Sequence, residues 1–158
     1  MKRQFCATTY IIKEEKFLLI FHRKLQKWLP PGGHVEPNET PPECAKREAL
    51  EETGLVIEIL KQENIWVEDW NANSFERPFM CMLEEIPEYG KEPAHQHMDM
   101  VYVGTPVGGK LKHNEGEVDD IRWFTLDEIE RLQEDVEIYA ETKKSTREIS
   151  KNYFGAKV

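Results

Sequence analysis

Two apolar runs, Thr8 to Ile12 and Phe17 to Phe21, open the chain, separated by the charged residues Lys13-Glu14-Glu15-Lys16. Short runs rich in β-branched and aromatic residues, bounded by a polar cluster, predict two strands joined as a hairpin. Pro30 to Gly33 predicts a turn. The pattern then becomes helical. Thr40-Pro41-Pro42-Glu43 sets a hydroxyl at the N-cap, prolines in the first helical positions and a glutamate three residues on, which is a capping box. Gly54 takes the left-handed position that ends a helix, so the caps predict a helix over 41–53. Leu55 to Leu60, Ile65 to Val67, Phe79 to Leu83, Met100 to Val103 and Val118 to Phe124 predict further strands, with loops rich in Pro, Gly, Asn and Glu between them. Thr125-Leu126-Asp127-Glu128 is a second capping box, opening a helix to about Gln133. The tail from Asp135 to Phe154, charged but carrying Ile138, Tyr139, Ile149, Tyr153 and Phe154, predicts a terminal helix. Mixed strands with two or three helices, without repeat or linker, predict an α/β sandwich in one domain over residues 1–158.

The predicted 41–53 helix carries the chemistry. Glu48, Glu51 and Glu52 are spaced by three and four residues and so share one helical face. Like charges at that spacing repel and weaken a bare helix. A hard divalent cation turns the repulsion into ligation, because magnesium takes carboxylate oxygens together with substrate phosphates. The bland alternative is a solvated acidic face.

Composition narrows the setting. The 158 residues include 21 Lys and Arg against 30 Asp and Glu, a net charge of −9. That balance argues against general nucleic-acid binding, which relies on basic groups neutralising phosphates, though bound cations reverse the local sign at an acidic cluster. No apolar run reaches the length of a membrane span. Met1-Lys2-Arg3-Gln4-Phe5 leads into a strand pattern and not a signal peptide. Cys6, Cys44 and Cys81 are odd in number and scattered, which reads as reduced thiols in a cytoplasmic protein, neither a disulfide frame nor a zinc site.

Gly33, Glu39 and Arg47-Glu48-Ala49-Leu50-Glu51-Glu52-Thr53-Gly54-Leu55 together resemble the Nudix box, G-x5-E-x7-R-E-U-x-E-E-x-G-U, where U is a bulky aliphatic residue. Every fixed position matches, and Ala49 at an aliphatic position is the one soft departure. Trp28-Leu29-Pro30-Pro31-Gly32-Gly33 resembles the family's approach to the box. The resemblance implies a Nudix-type α/β/α sandwich with a mixed central sheet, and a Mg2+- or Mn2+-dependent hydrolase of a nucleoside diphosphate linked to another group. It assigns Glu51 and Glu52 as metal ligands and Glu48 as ligand or general base, with the choice of base open. Gly32 matches a position whose carbonyl joins the metal shell, and Arg47 one that orients the catalytic face through a salt bridge with Glu39. Glu117, in the acidic run Glu115 to Asp120, matches loosely a further metal-binding glutamate before the last strand, with Glu115 and Asp120 as competitors. A small nucleotide is the implied partner, a nucleoside triphosphate or modified nucleotide being preferred by elimination. The alternative is a non-catalytic nucleotide-sensing module of the same fold, which commonly lacks box glutamates; here all are present.

Outside the box, His95-Gln96-His97-Met98-Asp99 is expected in a loop. If extended, His95, His97 and Asp99 share a face and could contact a substrate phosphate or base, or bind a transition metal; two exposed loop histidines are the plain alternative. Trp66, Trp70, Phe75 and Tyr102 are candidates to stack on a base, although strand aromatics are more often core. His22 and His113 carry no functional reading.

Overall fold

The computed structural model describes residues 1–112 and 114–155; His113 lies outside them. The opening hairpin forms as β1 (Arg3–Lys13) and β2 (Lys16–His22), longer than the apolar runs because pairing carries the strands into polar sequence. Its turn holds Glu14 and Glu15 at positive φ. Two short strands flank Pro30 and Pro31: β3 (Lys27–Leu29) lies before the segment expected to be turn and β4 (Gly32–His34) takes up its end; β3 pairs with β2 and β4 with β1. Helix α1 (Pro41–Thr53) has the expected boundaries. Thr40 and Glu43 close the capping box reciprocally, and Gly54 sits at φ 76° with its N–H on the Leu50 carbonyl.

After β5 (Leu55–Ile59), the strand expected at Ile65 to Val67 does not form. Ile65 and Val67 are exposed, and Ser74 clasps the segment instead: Val67 N–H donates to its hydroxyl, and its own N–H donates to the Val67 carbonyl. Two residue pairs, β6 (Glu68–Asp69) and β7 (Ala72–Asn73), make a small separate ribbon. Next come β8 (Met80–Ile86), β9 (His95–Gly109) and β10 (Val118–Thr125). Helix α2 (Leu126–Glu130) stops sooner than expected, and α3 (Ala140–Tyr153) begins later. Between them the chain makes a turn closed by a Glu134–Ile138 bridge, and Trp28 N–H donates to the Glu137 carbonyl.

The main sheet runs β10-β2-β1-β9-β5, with β8 also on β9. The β1–β9 pair is parallel and the other pairs are antiparallel, so the sheet is mixed. Side chains alternate across it. Tyr10, Phe17, Val101, Val103 and Phe124 pack on one face with Ile129, Ile138, Ile149 and Phe154. Ala7, Ile11, Leu18, Ile57 and Tyr102 pack on the other with Cys44, Ala45 and Ala49 of α1. The small residues on the inner side of α1 bring it close to the strands, and Ala49, fully buried against Ile11 and Leu18, is the soft departure in the box. The outcome is an α/β/α sandwich with the acidic helix held against one face of a mixed sheet.

Candidate active site

Close packing against β4 positions the acidic face of α1. A β-carbon on Gly33 would lie 2.3 Å from Glu48 Oε1, and one on Gly32 would lie 2.5 Å from Thr8 Oγ1 and 2.8 Å from the Ala7 carbonyl oxygen. Neither glycine has left-handed backbone; what their hydrogens provide is close approach. The Gly32 N–H donates to Glu52 Oε1 at 2.8 Å. Glu52 is 3% exposed, and burial pushes its carboxyl up to about 8, with the Gly32 N–H working against the rise and Glu48, Glu117 and Glu51 adding to it. Burial also raises Glu48, while Arg47 holds it down and Glu51 and Glu117 push it up. Glu117, on the turn before β10, therefore lies near enough to act on both carboxyls.

Arg47 ties this face together. Its Nε donates to Glu39 Oε2 at 3.0 Å and its Nη2 to Glu39 Oε1 at 2.6 Å, a bidentate pair. Nη2 also reaches the His34 carbonyl at 3.1 Å, and Nη1 reaches Glu48 Oε1 at 2.9 Å and Glu51 Oε2 at 3.3 Å. Arg47 stands four residues before Glu51 and so shares its helical face, and its side chain also folds across to Glu48. The hydrogen bonds from Arg47 take Glu39 down to about 2. Glu51 is the most open of the box glutamates.

The donor set is hard oxygen in a crowded, partly buried cluster whose charges repel, which fits a divalent cation. Among the described residues, however, the one set of three side chains whose donor atoms meet within 4.8 Å is not the glutamates but Cys6, His34 and His97. Arg47 holds Glu48, and Glu52 is turned to Gly32, which spreads the carboxylates.

The histidine segment corrects the sequence reading. His95, Gln96 and His97 begin β9 and are not in a loop; β1 and β8 pair on either side of it. His95 is 5% exposed, with Nδ1 3.0 Å from the Pro93 carbonyl oxygen. Burial lowers His97 to about 4, with His34 and His95 adding to the effect, so its ring is neutral near neutral pH and makes a poor charged clamp for phosphate. Below it, burial and the facing carboxylate of Asp99 push Glu84 up to about 8, and Thr8 Oγ1 donates to Asp99 Oδ2 at 2.8 Å. Sequence reasoning missed Glu84, which reaches this pair only through the β8–β9 register.

Tyr102, a candidate for base stacking, is 1% exposed, packed against Ala7 and Cys44, and its hydroxyl donates to the Glu76 carbonyl. Its position on β9 facing α1 makes it core. Trp66 is exposed, with Lys61 Nζ 4.9 Å from its ring centroid. A cleft of about 530 Å³ beside the box loop is lined by Phe5, His34, Val35, Pro37, Glu39 and Met100, among others. No helix among the described residues is long and apolar enough to cross a membrane.

The NUDIX domain family model matches residues 2–145. A "Probable DHNTP pyrophosphohydrolase" of Lactococcus lactis subsp. cremoris is 32% identical over 136 residues, 86% of this chain and 70% of that protein. The "NAD-capped RNA hydrolase NudC" of Chromobacterium violaceum is 31% identical over 101 residues, 64% of this chain but 29% of that protein. Among solved structures, a NUDIX-family hydrolase from Clostridium perfringens superposes with a TM-score of 0.73 at 25% identity, covering 97% of this chain and 99% of that one.

Proposed function

The chain belongs to the NUDIX domain family, and from that premise we propose that it is a metal-dependent pyrophosphohydrolase of a nucleotide derivative, with its reacting centre at Glu48, Glu51, Glu52 and Glu117. The observation that carries the reading is the seating of the acidic face of α1 on the Gly32-Gly33 strand, where Gly33 leaves room for Glu48 Oε1 and the Gly32 N–H holds Glu52 Oε1. The relatives named as pyrophosphohydrolase and NAD-capped RNA hydrolase support the reaction class.

Glu51 and Glu52, with Glu48, Glu117 and the Gly32 carbonyl as further donors, would hold Mg2+ or Mn2+. Such an ion neutralises bridging phosphate oxygens and makes bound water more acidic. A box carboxylate, Glu48 or Glu52, would take the proton from the attacking water. Arg47 is a positioning residue: it fixes Glu48 relative to Glu39 and the β4 backbone. In-line attack on one phosphorus then expels the other phosphate as leaving group, with no covalent intermediate. The remainder of the substrate lies in the cleft floored by Phe5, Val35 and Met100, and Trp66 offers an exposed ring for stacking.

A product-resolved screen of nucleoside triphosphates, dinucleoside polyphosphates and nucleotide–sugar or NAD-type diphosphates, with Mg2+ or Mn2+, tests the reading. It predicts metal-dependent cleavage between two phosphorus atoms in at least one class. Binding of nucleotides without turnover of any would favour a sensing module instead.

A further inference from the structure

Three neighbouring strands bring soft and intermediate donors to one face of the sheet, away from the glutamates. Cys6 on β1 pairs in register with His34 on β4 and with Asp99 on β9. His97 lies two residues before Asp99 and so on the same face. The Cys6 sulfur and one ring nitrogen each from His34 and His97 lie within 4.8 Å of one another. His97 Nε2 is 3.2 Å from His34 Nε2 and 3.2 Å from His95 Nε2.

His97 Nε2 thus faces two imidazole nitrogens at once. His95 Nδ1 faces the Pro93 carbonyl. That contact fixes the proton on Nδ1 and leaves the Nε2 lone pair directed at His97. His97 Nδ1 faces Glu84 Oε2 at 3.9 Å, which puts the ring in the orientation that outer carboxylates give to metal-binding histidines. With both Nδ1 atoms turned to acceptors, the Nε2 atoms converge as ligands do. A tetrahedral ion bound at about 2.0–2.1 Å by imidazole has donor-to-donor edges of roughly 3.3 Å, close to the His34–His97 and His95–His97 separations.

We propose that Cys6, His34 and His97, whose donor atoms meet, with His95 Nε2 beside His97 as the fourth donor, form a second metal site, for a tetrahedral transition-metal ion of the Zn2+ class, distinct from the hard-oxygen site on α1. Thiolate and imidazole select such an ion over Mg2+. It would staple β4, which carries Gly32 and Gly33, to β1 and β9. The His34 carbonyl already accepts from Arg47 Nη2 and from the Cys44 thiol, so the staple would brace the strand that seats Glu48 and Glu52. The sequence alone set the cysteines aside from metal binding, because Cys6 has no neighbouring ligand in the chain; its partners arrive by strand pairing.

Co2+ is the probe. The metal-stripped Glu51→Gln/Glu52→Gln double variant, in saturating Mg2+, is titrated with Co2+ and followed by visible and near-ultraviolet absorption. The proposal predicts one equivalent bound with the intense visible bands of tetrahedral Co2+ and a thiolate-to-metal charge-transfer band, all displaced by Zn2+. Cys6→Ser in that background should lose the charge-transfer band alone. His34→Ala, at an exposed ring, should weaken Co2+ binding on the order of 100-fold without loss of far-ultraviolet circular dichroism. His34→Ala/His97→Ala should abolish the bands. A weak octahedral spectrum, or tetrahedral bands that persist in the folded His34→Ala protein at unchanged affinity, would overturn the site. Neither outcome touches the glutamate reading, which predicts turnover with Mg2+ alone.

Discussion

Arg47 grips Glu39 through two parallel hydrogen bonds, Nε to Oε2 at 3.0 Å and Nη2 to Oε1 at 2.6 Å, and spends its remaining nitrogen on Glu48 and Glu51. One guanidinium thus fixes the loop before α1 and the acidic face of α1 in a single arrangement. Lysine supplies charge but no planar fork. Arg47→Lys is expected to lower kcat by roughly 10–100-fold while unfolding free energy falls by only about 1–2 kcal/mol. Steady-state kinetics beside a urea titration check this; a loss of stability with kcat intact would assign Arg47 to the fold alone.

Gly32 and Gly33 are adjacent but predict opposite consequences. A methyl on Gly33 meets the carboxyl end of Glu48, a flexible group that can move aside. Gly33→Ala should therefore fold with a melting temperature near the parent's and lose most of its activity. A methyl on Gly32 meets the Ala7 carbonyl and Thr8 Cα, backbone that cannot yield. Gly32→Ala should be destabilised by about 2–4 kcal/mol. The reverse ranking in thermal melts would mean that α1 does not sit on β4 as described.

Proton and cation compete for Glu52. With its carboxyl pushed up to about 8, chiefly by burial, Glu52 holds a proton near neutrality in the metal-free protein. A cation must displace that proton. Mg2+ affinity should accordingly rise nearly tenfold per pH unit below about pH 8 and flatten above it. Calorimetric titrations across that range test the slope, and an affinity independent of pH would remove Glu52 from the ligand set.

Glu84 gives a separate pH signature. Its carboxyl is raised to about 8 by burial and by Asp99, above its ordinary value of 4.5. A group raised in the folded state contributes stability that is complete below its unfolded pKa and is lost as pH rises through the folded one. The metal-free protein should therefore lose stability between about pH 5 and pH 8, and Glu84→Gln, which cannot ionise, should recover on the order of 1–2 kcal/mol at the upper end. Thermal melts in chelator at both pH values check this. A parent and variant with parallel profiles would sink it.

Legibility followed the range of the interactions. Helix α1 could be read to the residue because its caps are local: Thr40, Glu43 and Gly54 act within four positions of themselves. The glutamate face was legible for the same reason. Arg47 was read in its pairing with Glu39; its contact with Glu51 was also legible in the i,i+4 spacing, and only its reach to Glu48 depends on how the side chain folds. Strand β9 was read as Met100 to Val103, although it runs from His95 to Gly109. Its polar half forms a strand because β1 and β8 supply hydrogen bonds from both sides, a long-range cause that short apolar runs do not record. The arrival of Cys6 and His34 beside His97, and of Glu84 beside Asp99, was hidden by strand register; only the shared face of His95, His97 and Asp99 was legible. Tyr102 was offered to a substrate because alternation marks which residues share a face but not what covers that face.

The central claim is that the acidic face of α1 performs metal-dependent hydrolysis. Its most direct test is kcat for Glu51→Gln and Glu52→Gln on the best substrate of the screen, at saturating Mg2+. Each change keeps the side chain's shape and removes one charged oxygen donor, and relief of like-charge repulsion leaves the helix at least as stable. The account predicts that each variant folds as the parent does and turns over at least about 100-fold more slowly. Near-parent turnover in both would contradict it.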